Sequence, residues 1–219
     1  MIGEYMSRLR VESLSLSLDG YGAGSNQDLE NPLGRSGKSI MEWFFPTLTF
    51  NKMIGKPGGT TGVDNKFASR GFEGIGANIM GRNMFGPIRG PWKDEEWKGW
   101  WGPNPPYHSP VFVLTHFERK PIEMEGGTIF YFVMDGIESA LKQAKKAAGG
   151  KDIRLNGGVS TIRQYLSKGL VDNMHLAVSA KLLGAGENLF HGLDLVKLGY
   201  AVKETASGEN ATHVVFEKS

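Results

Sequence analysis

The chain has 219 residues, of which 40% are hydrophobic and 22% charged, with a formal net charge of +2. That balance fits a globular protein with a sizeable core and argues against a nucleic-acid partner, which needs a concentrated basic face. No cysteine is present, which removes disulfides, thiolate chemistry and cysteine-held metals and fits a reducing compartment. Met1 to Arg10 lacks the apolar core of a signal peptide, and no run of membrane-span length follows, so the expected location is cytoplasmic. With 31 glycines, many turns and several close backbone approaches are expected.

In chain order, Leu9, Val11, Leu14, Leu16 and Leu18, interleaved with Ser13, Ser15 and Ser17, read as a strictly alternating strand over Leu9–Leu18. It runs into the glycine-rich loop Asp19–Gly24. Residues 25–62 hold few signals beyond a short helix over Ser39–Phe45, stopped by Pro46. Thr61 is placed to cap a helix over Val63–Ile75, with Asp64 in its first turn. Ala77–Met80 is a short buried strand leading to Gly81-Arg82-Asn83-Met84. Residues 87–109 carry Trp92, Trp97, Trp100, Trp101 and Tyr107 among prolines, as a packed loop, a pocket wall or a subunit contact. Strands follow at Pro110–Thr115 and Thr128–Val133, then an amphipathic helix over Ile137–Ala148 ending at Gly149-Gly150. After the 152–169 unit come a strand at Met174–Val178, a loop over Leu182–Phe190, and a closing pair at Val202–Ala206 and Thr212–Phe216. Together these predict one domain of α/β class: a mixed central sheet with flanking helices and a C-terminal antiparallel hairpin.

The segment Asp152–Gly169 is the most informative. Ile153 and Leu155 alternate as in a strand, Asn156-Gly157-Gly158 breaks the pattern, and Ile162, Tyr165 and Leu166 then share one helical face. Ser160 or Thr161 is the expected cap. A strand, a glycine turn and a helix start point several N–H groups and a helix dipole at one place, where a phosphate can sit.

Taken together, Leu16-Ser17-Leu18-Asp19-Gly20, Ile79-Met80-Gly81-Arg82, Val113-Leu114-Thr115-His116, Leu155-Asn156-Gly157-Gly158 and Gln164-Tyr165-Leu166 resemble the dihydrofolate reductase-like family. Ser17-Leu18-Asp19-Gly20 and Ala180–Leu195 resemble its branch containing the reductase domain of the riboflavin-biosynthesis deaminase-reductase. The resemblance covers most of the chain, with 25–62 and 87–109 as enlarged loops. It implies an NADPH-dependent reductase acting on a small carbonyl, imine, or pterin- or pyrimidine-like molecule, and a homodimer. Gly157, Gly158, Val159, Ser160 and Thr161, led in by Asn156, would hold the pyrophosphate. Gly81 and Arg82, followed by Asn83 and Met84, would face it, and Arg82 would meet a phosphate with Thr115 and His116. Ser15, Ser17, Gly20, Tyr21, Gly22 and Ala23 would border the nicotinamide. Met84 stands where the family has threonine, and Val159-Ser160 where it has arginine or lysine.

Hydride transfer also needs a proton source. The candidates are Asp19, Asp64 and His108, with Asp19 equally placed to tie down its own glycine loop. His116 and His191 lack metal-type spacing, so no metal is expected. No Cys-x-x-Cys exists for a zinc deaminase portion. The alternative from another class is a non-catalytic nucleotide-binding or sensor protein that keeps the cofactor cleft.

Overall fold

The computed structural model describes residues 7–86, 88–94 and 96–219; the first six residues of the leader reading, and Pro87 and Glu95 of the aromatic loop, lie outside the described residues. The elements are β1 (Leu9–Ser17), β2 (Tyr21–Ala23), a 3-10 turn (Gly37–Met41), α1 (Leu48–Met53), α2 (Val63–Arg70), β3 (Ile75–Gly81) and α3 (Arg82–Phe85). Next come β4 (Pro110–Leu114), β5 (Ile122–Glu123), a 3-10 turn (Glu125–Gly127), β6 (Ile129–Val133), α4 (Ile137–Ala148), β7 (Asp152–Gly157) and α5 (Val159–Ser167). The chain closes with β8 (Asn173–Ser179), β9 (Glu187–Asn188), β10 (Tyr200–Ser207) and β11 (Thr212–Lys218).

A nine-stranded sheet runs in the order β10-β11-β8-β1-β7-β3-β4-β6-β5. Its inner pairs, from β8 through β6, are parallel, and the flanking pairs are antiparallel. The architecture is the mixed α/β sheet with a C-terminal antiparallel hairpin expected from the sequence. In such a sheet the carboxyl ends of parallel strands open a crevice for ligands.

Both faces are covered. Ala77, Ile79, Phe112, Ile153, Leu155 and Met174 point to the face where α4 brings Ile137, Ala140 and Leu141 and α5 brings Ile162, Tyr165 and Leu166. The Tyr165 hydroxyl, buried there, donates to the Ile137 carbonyl at 2.8 Å, so the ring packs without stranding its polar tip. On the other face, Trp43, Phe44, Ala68 and Ala177 cluster together. Further along it, Met80, Val111, Val113 and Phe130 pack beneath Trp92, Trp97, Trp101 and Tyr107. The aromatic loop is therefore a cover for one sheet face, with edge contacts such as Trp92 to Phe132 at 5.1 Å.

Four local expectations need correction. Strand β1 does not alternate strictly: its pairing with β8 slips between Val11 and Leu14, where Ser13 takes φ +57°. This bulge flips the phase, so odd-numbered Leu9 and Val11 and even-numbered Leu16 reach the same core. The helix expected over Val63–Ile75 ends at Arg70; Gly71 and left-handed Gly74 break it, and Ile75 already belongs to a central strand. Thr61 does not cap it. The N-cap is Gly62, and the Glu209 carboxylate accepts from the Val63 and Asp64 N–H groups at 3.0 and 2.9 Å. The helix expected over Ser39–Phe45 is a 3-10 turn over Gly37–Met41, after which Trp43 and Phe44 turn inward.

Trp43 is wholly buried, and its indole N–H donates to the Ser15 hydroxyl at 2.7 Å. Trp43→Phe is expected to lower the unfolding free energy by about 1–3 kcal/mol, since the buried Ser15 oxygen loses its donor. A urea midpoint unchanged from wild type would contradict this.

Candidate active site

The carboxyl ends of β1, β3, β4 and β7 carry the site. At the end of β7, Gly157 has φ +134°, a conformation L side chains rarely adopt, and the peptide to Gly158 is cis. Asn156 is fixed by its Nδ2 donating to Asn78 Oδ1 at 2.9 Å. At the end of β3, a Cβ on Gly81 would strike the Thr161 hydroxyl, so glycine there permits the strand to meet α5. Neither Ser160 nor Thr161 caps α5: the N-cap is Gly158, with no side-chain cap. The Thr161 N–H donates to the Gly158 carbonyl at 3.0 Å, and the Val159 and Ser160 N–H groups, with no side-chain cap, are left to a ligand or solvent.

Two cavities lie along this edge. The one beside Gly81, of about 230 Å³, is lined by Arg82, Asn83, Thr115, His116, Ser160 and Thr161, all expected, and by Arg89, which was not. The Arg82 guanidinium carbon sits 3.4 Å from the Trp92 ring centroid, and its Nη1 donates to the Gly86 carbonyl at 3.0 Å. Burial, followed by repulsion from Arg119 and Arg89, pulls Arg82 down to about 10. It stays cationic at neutral pH, in a place where an anion would relieve crowding of like charge. Arg82 Nε and Asn83 Oδ1 are buried without a hydrogen-bond partner among the described residues.

The second cavity, of about 260 Å³, lies on the other side of the Gly157-Gly158 turn. Ser15, Gly22, Ala23, Met84, Asn156, Gly157, Gly158 and Val159, all expected, line it. Its walls are apolar, with Phe44, Phe72, Trp101 and Tyr107. Its polar floor, missed from the sequence, is Glu12, Ser13 and Arg154. Glu12 Oε1 accepts from Arg10 Nε and Nη2 at 2.8 and 2.6 Å, while Oε2 has no hydrogen-bond partner among the described residues. Ser13 Oγ and Arg154 Nε are also buried without one. The signal that could have found them is a glutamate and an arginine inside strands that otherwise read as core, since such charges are rarely buried without purpose.

Ser17, Asp19, Gly20 and Tyr21 line neither cavity. Asp19 instead ties its loop: it accepts from Ser17 Oγ at 2.5 Å and from the Leu183 and Gly184 N–H groups at 3.1 and 2.7 Å. The Ser17 hydroxyl bond above all holds its carboxyl below the usual range, the wrong direction for a general acid. Asp64, the other expected acid, is buried away from both cavities; its Oδ1 faces His213 Nε2 at 2.9 Å and its Oδ2 accepts from the Asn210 N–H at 2.9 Å. His213 Nδ1 in turn lies 3.0 Å from His175 Nε2, and His175 Nδ1 accepts from the Ser13 N–H at 3.1 Å. The Asp64 chain therefore ends on the β1 bulge and supports the floor from behind. His108 packs against the Gly126 carbonyl, with Nδ1 2.9 Å from the oxygen, and lines neither cavity.

A profile of the RibD C-terminal domain family matches residues 12–215. The chain belongs to the RibD C-terminal domain family. Among curated proteins, Bacillus subtilis (strain 168) YyaP is 38% identical over 74 residues, covering 34% of this chain and 38% of that protein. Among solved structures, a protein assigned to riboflavin biosynthesis from Shewanella sp. PV-4 aligns at TM-score 0.58 and 22% identity, over 98% of this chain and 99% of that one. Dihydrofolate reductase from Enterococcus faecalis, complexed with NADP(H), aligns at TM-score 0.53 and 12% identity over 98% of each chain. The Thermotoga maritima diaminohydroxyphosphoribosylaminopyrimidine deaminase/5-amino-6-(5-phosphoribosylamino)uracil reductase aligns at 0.54 and 15%, over 98% of this chain but 57% of that one. These likenesses establish a dihydrofolate reductase-like fold for this RibD C-terminal domain. No helix among the described residues is long and apolar enough to cross a membrane.

Proposed function

We propose that this RibD C-terminal domain is a reductase that uses NADPH on a small carbonyl, imine or flat heterocyclic substrate. One observation carries the reading: a cationic cavity and an apolar cavity flank a single glycine turn at the carboxyl edge of the sheet. The residues present fit a dinucleotide. Arg82 and Arg89 supply the positive charge that a 2′-phosphate requires, and the unpartnered Arg82 Nε–H is a donor left for it among the described residues. Gly157 and Gly158 leave the backbone bare, and the uncapped start of α5 offers its donors to a pyrophosphate. Ser15, Ala23 and Val159 would border a nicotinamide ring at the mouth of the apolar cavity. When bound, NADPH supplies the hydride; the protein's part is to hold the ring against the substrate and keep bulk water out. The relatives support the same reading, since the Enterococcus protein is described with NADP(H) and the Thermotoga protein as a reductase.

Arg89 takes the place of the arginine or lysine that the sequence lacks after the double glycine, which favours NADPH over NADH. Steady-state oxidation of NADPH against a panel of carbonyl and heterocyclic acceptors tests the proposal. Turnover with at least one acceptor is expected. Tight NADPH binding with no turnover on any would favour the sensor reading, and absence of binding would end both.

A further inference from the structure

The floor of the apolar cavity holds polar groups that have no hydrogen-bond partner among the described residues. Glu12 is 3% exposed, and its Oε2 has no hydrogen-bond partner although Oε1 is held twice by Arg10. His175 Nδ1 lies 3.9 Å from that oxygen, beyond hydrogen-bond range, and is engaged by the Ser13 N–H instead. Arg154 Nη2 donates to the Glu12 carbonyl at 3.2 Å, which leaves its Nε–H without an acceptor. Ser13 Oγ lies between them in sequence and on the same cavity, also unpartnered. A buried polar group left unpaired is costly, and three at one cavity floor are compensated only by a ligand or ordered water.

The three groups define complementary chemistry. A carboxylate oxygen accepts, a guanidinium N–H donates, and a hydroxyl does either. The matching ligand edge is an N–H beside a C=O. The cavity's charge disfavours a phosphate: its one lining cation, Arg154, is outnumbered by Glu12 and Glu187, and Arg10 behind the floor is already engaged on Glu12. The apolar walls of Phe44, Phe72 and Tyr107 fit a flat ring behind that edge.

We propose that Glu12, Ser13 and Arg154 anchor the substrate, an uncharged, unphosphorylated ring compound presenting an adjacent N–H and C=O. This rests on the reductase reading for its role as substrate, and it sets this chain apart from the Thermotoga relative, whose described substrate carries a phosphoribosyl group. The bulge at Ser13 is what places these groups: with φ +57° it turns residues 12 and 13 out of the β1 ladder, and the His175 bond to its N–H holds it there.

Calorimetric titration of the full chain without cofactor uses three probes: quinolin-2(1H)-one, its N-methyl derivative, and the quinolinone carrying a phosphomonoester on its second ring. Saturable binding of the first is expected, weakened about tenfold or more by N-methylation and by the phosphate, since each removes a paired bond or adds an uncompensated charge. Glu12→Gln is expected to weaken the quinolinone about tenfold and Ser13→Ala less, with the melting profile unchanged in Ser13→Ala and lowered in Glu12→Gln, which also loses its buried pair with Arg10; if Glu12→Gln does not fold, Ser13→Ala and the probe series decide. Equal binding of all three probes, tightest binding of the phosphorylated one, no binding of any, or an unaltered affinity in folded Glu12→Gln overturns the proposal. A parallel NADPH titration of the wild type reads the dinucleotide site separately, so a failure there leaves the anchor standing.

Discussion

Lowering the pH from about 6.5 to about 4.5 is expected to reduce the stability of this fold by about 2 kcal/mol through His175 alone. The hydrogen bonds dictate the tautomers. His175 Nδ1 accepts from the Ser13 N–H, so its proton sits on Nε2 and points at His213 Nδ1, 3.0 Å away. His213 therefore carries its proton on Nε2, toward Asp64 Oδ1 at 2.9 Å. A second proton on His175 would have to take the place of the Ser13 N–H. Burial first, then repulsion from His213, Arg70 and Arg154, pushes His175 down to about 2. Glu12 Oε2 at 3.9 Å opposes that shift without reversing it. His213 is lowered as well, by burial, with Asp64 and Glu209 pulling the other way. The sign follows: both folded values lie below the ordinary histidine value of about 6.5, so below that pH the unfolded chain binds the extra protons and stability falls as pH falls. Urea unfolding should give a slope from His175 that starts at about half of 2.303RT per pH unit at about pH 6.5 and approaches the full value below about pH 5.5, on top of the carboxylates. His175→Gln should remove that increment. Parallel slopes for wild type and variant would contradict the account.

Arg82→Ala is expected to weaken NADPH about thirtyfold while changing NADH by less than about threefold, the loss of one or two charge-assisted hydrogen bonds. The direction comes from the neighbourhood: Arg82 is stacked on Trp92, carries an unpartnered Nε and lies within repulsive reach of Arg89. A dianionic phosphate would satisfy the orphan and cancel the repulsion together. Arg89→Ala, on the same cavity, should act in the same direction. Fluorescence titration of both cofactors with each variant checks this. Equal losses for NADPH and NADH would move Arg82 from the 2′-phosphate to a part the two cofactors share.

The parts of the fold that could be read from the sequence are those set by short-range pattern. The Ile137–Ala148 helix, the β7–α5 junction and the closing hairpin all follow from periodicity and from glycines at the ends of elements. The parts that could not are set by contacts far apart in the chain. Nothing near Val63 reveals that its cap comes from Glu209, or that Asp64 pairs with His213, 149 residues on, and through it reaches His175. The β1 bulge was hidden because serines on the odd positions and leucines on the even ones mimic a regular alternation, while Glu12 sits where the phase changes. Arg89 lies in a loop without pattern, and only the fold carries it to Arg82.

The central claim is that one dinucleotide spans both cavities, gripped at the Gly81 and Gly157 bends together. Amide hydrogen exchange with and without NADPH tests it most directly. The account predicts that peptides covering 81–85 and 157–162 gain protection along one shared binding curve, with residues 12 and 13 unchanged until a substrate is added. Protection at only one bend, two curves with different midpoints, or none at millimolar NADPH would contradict it.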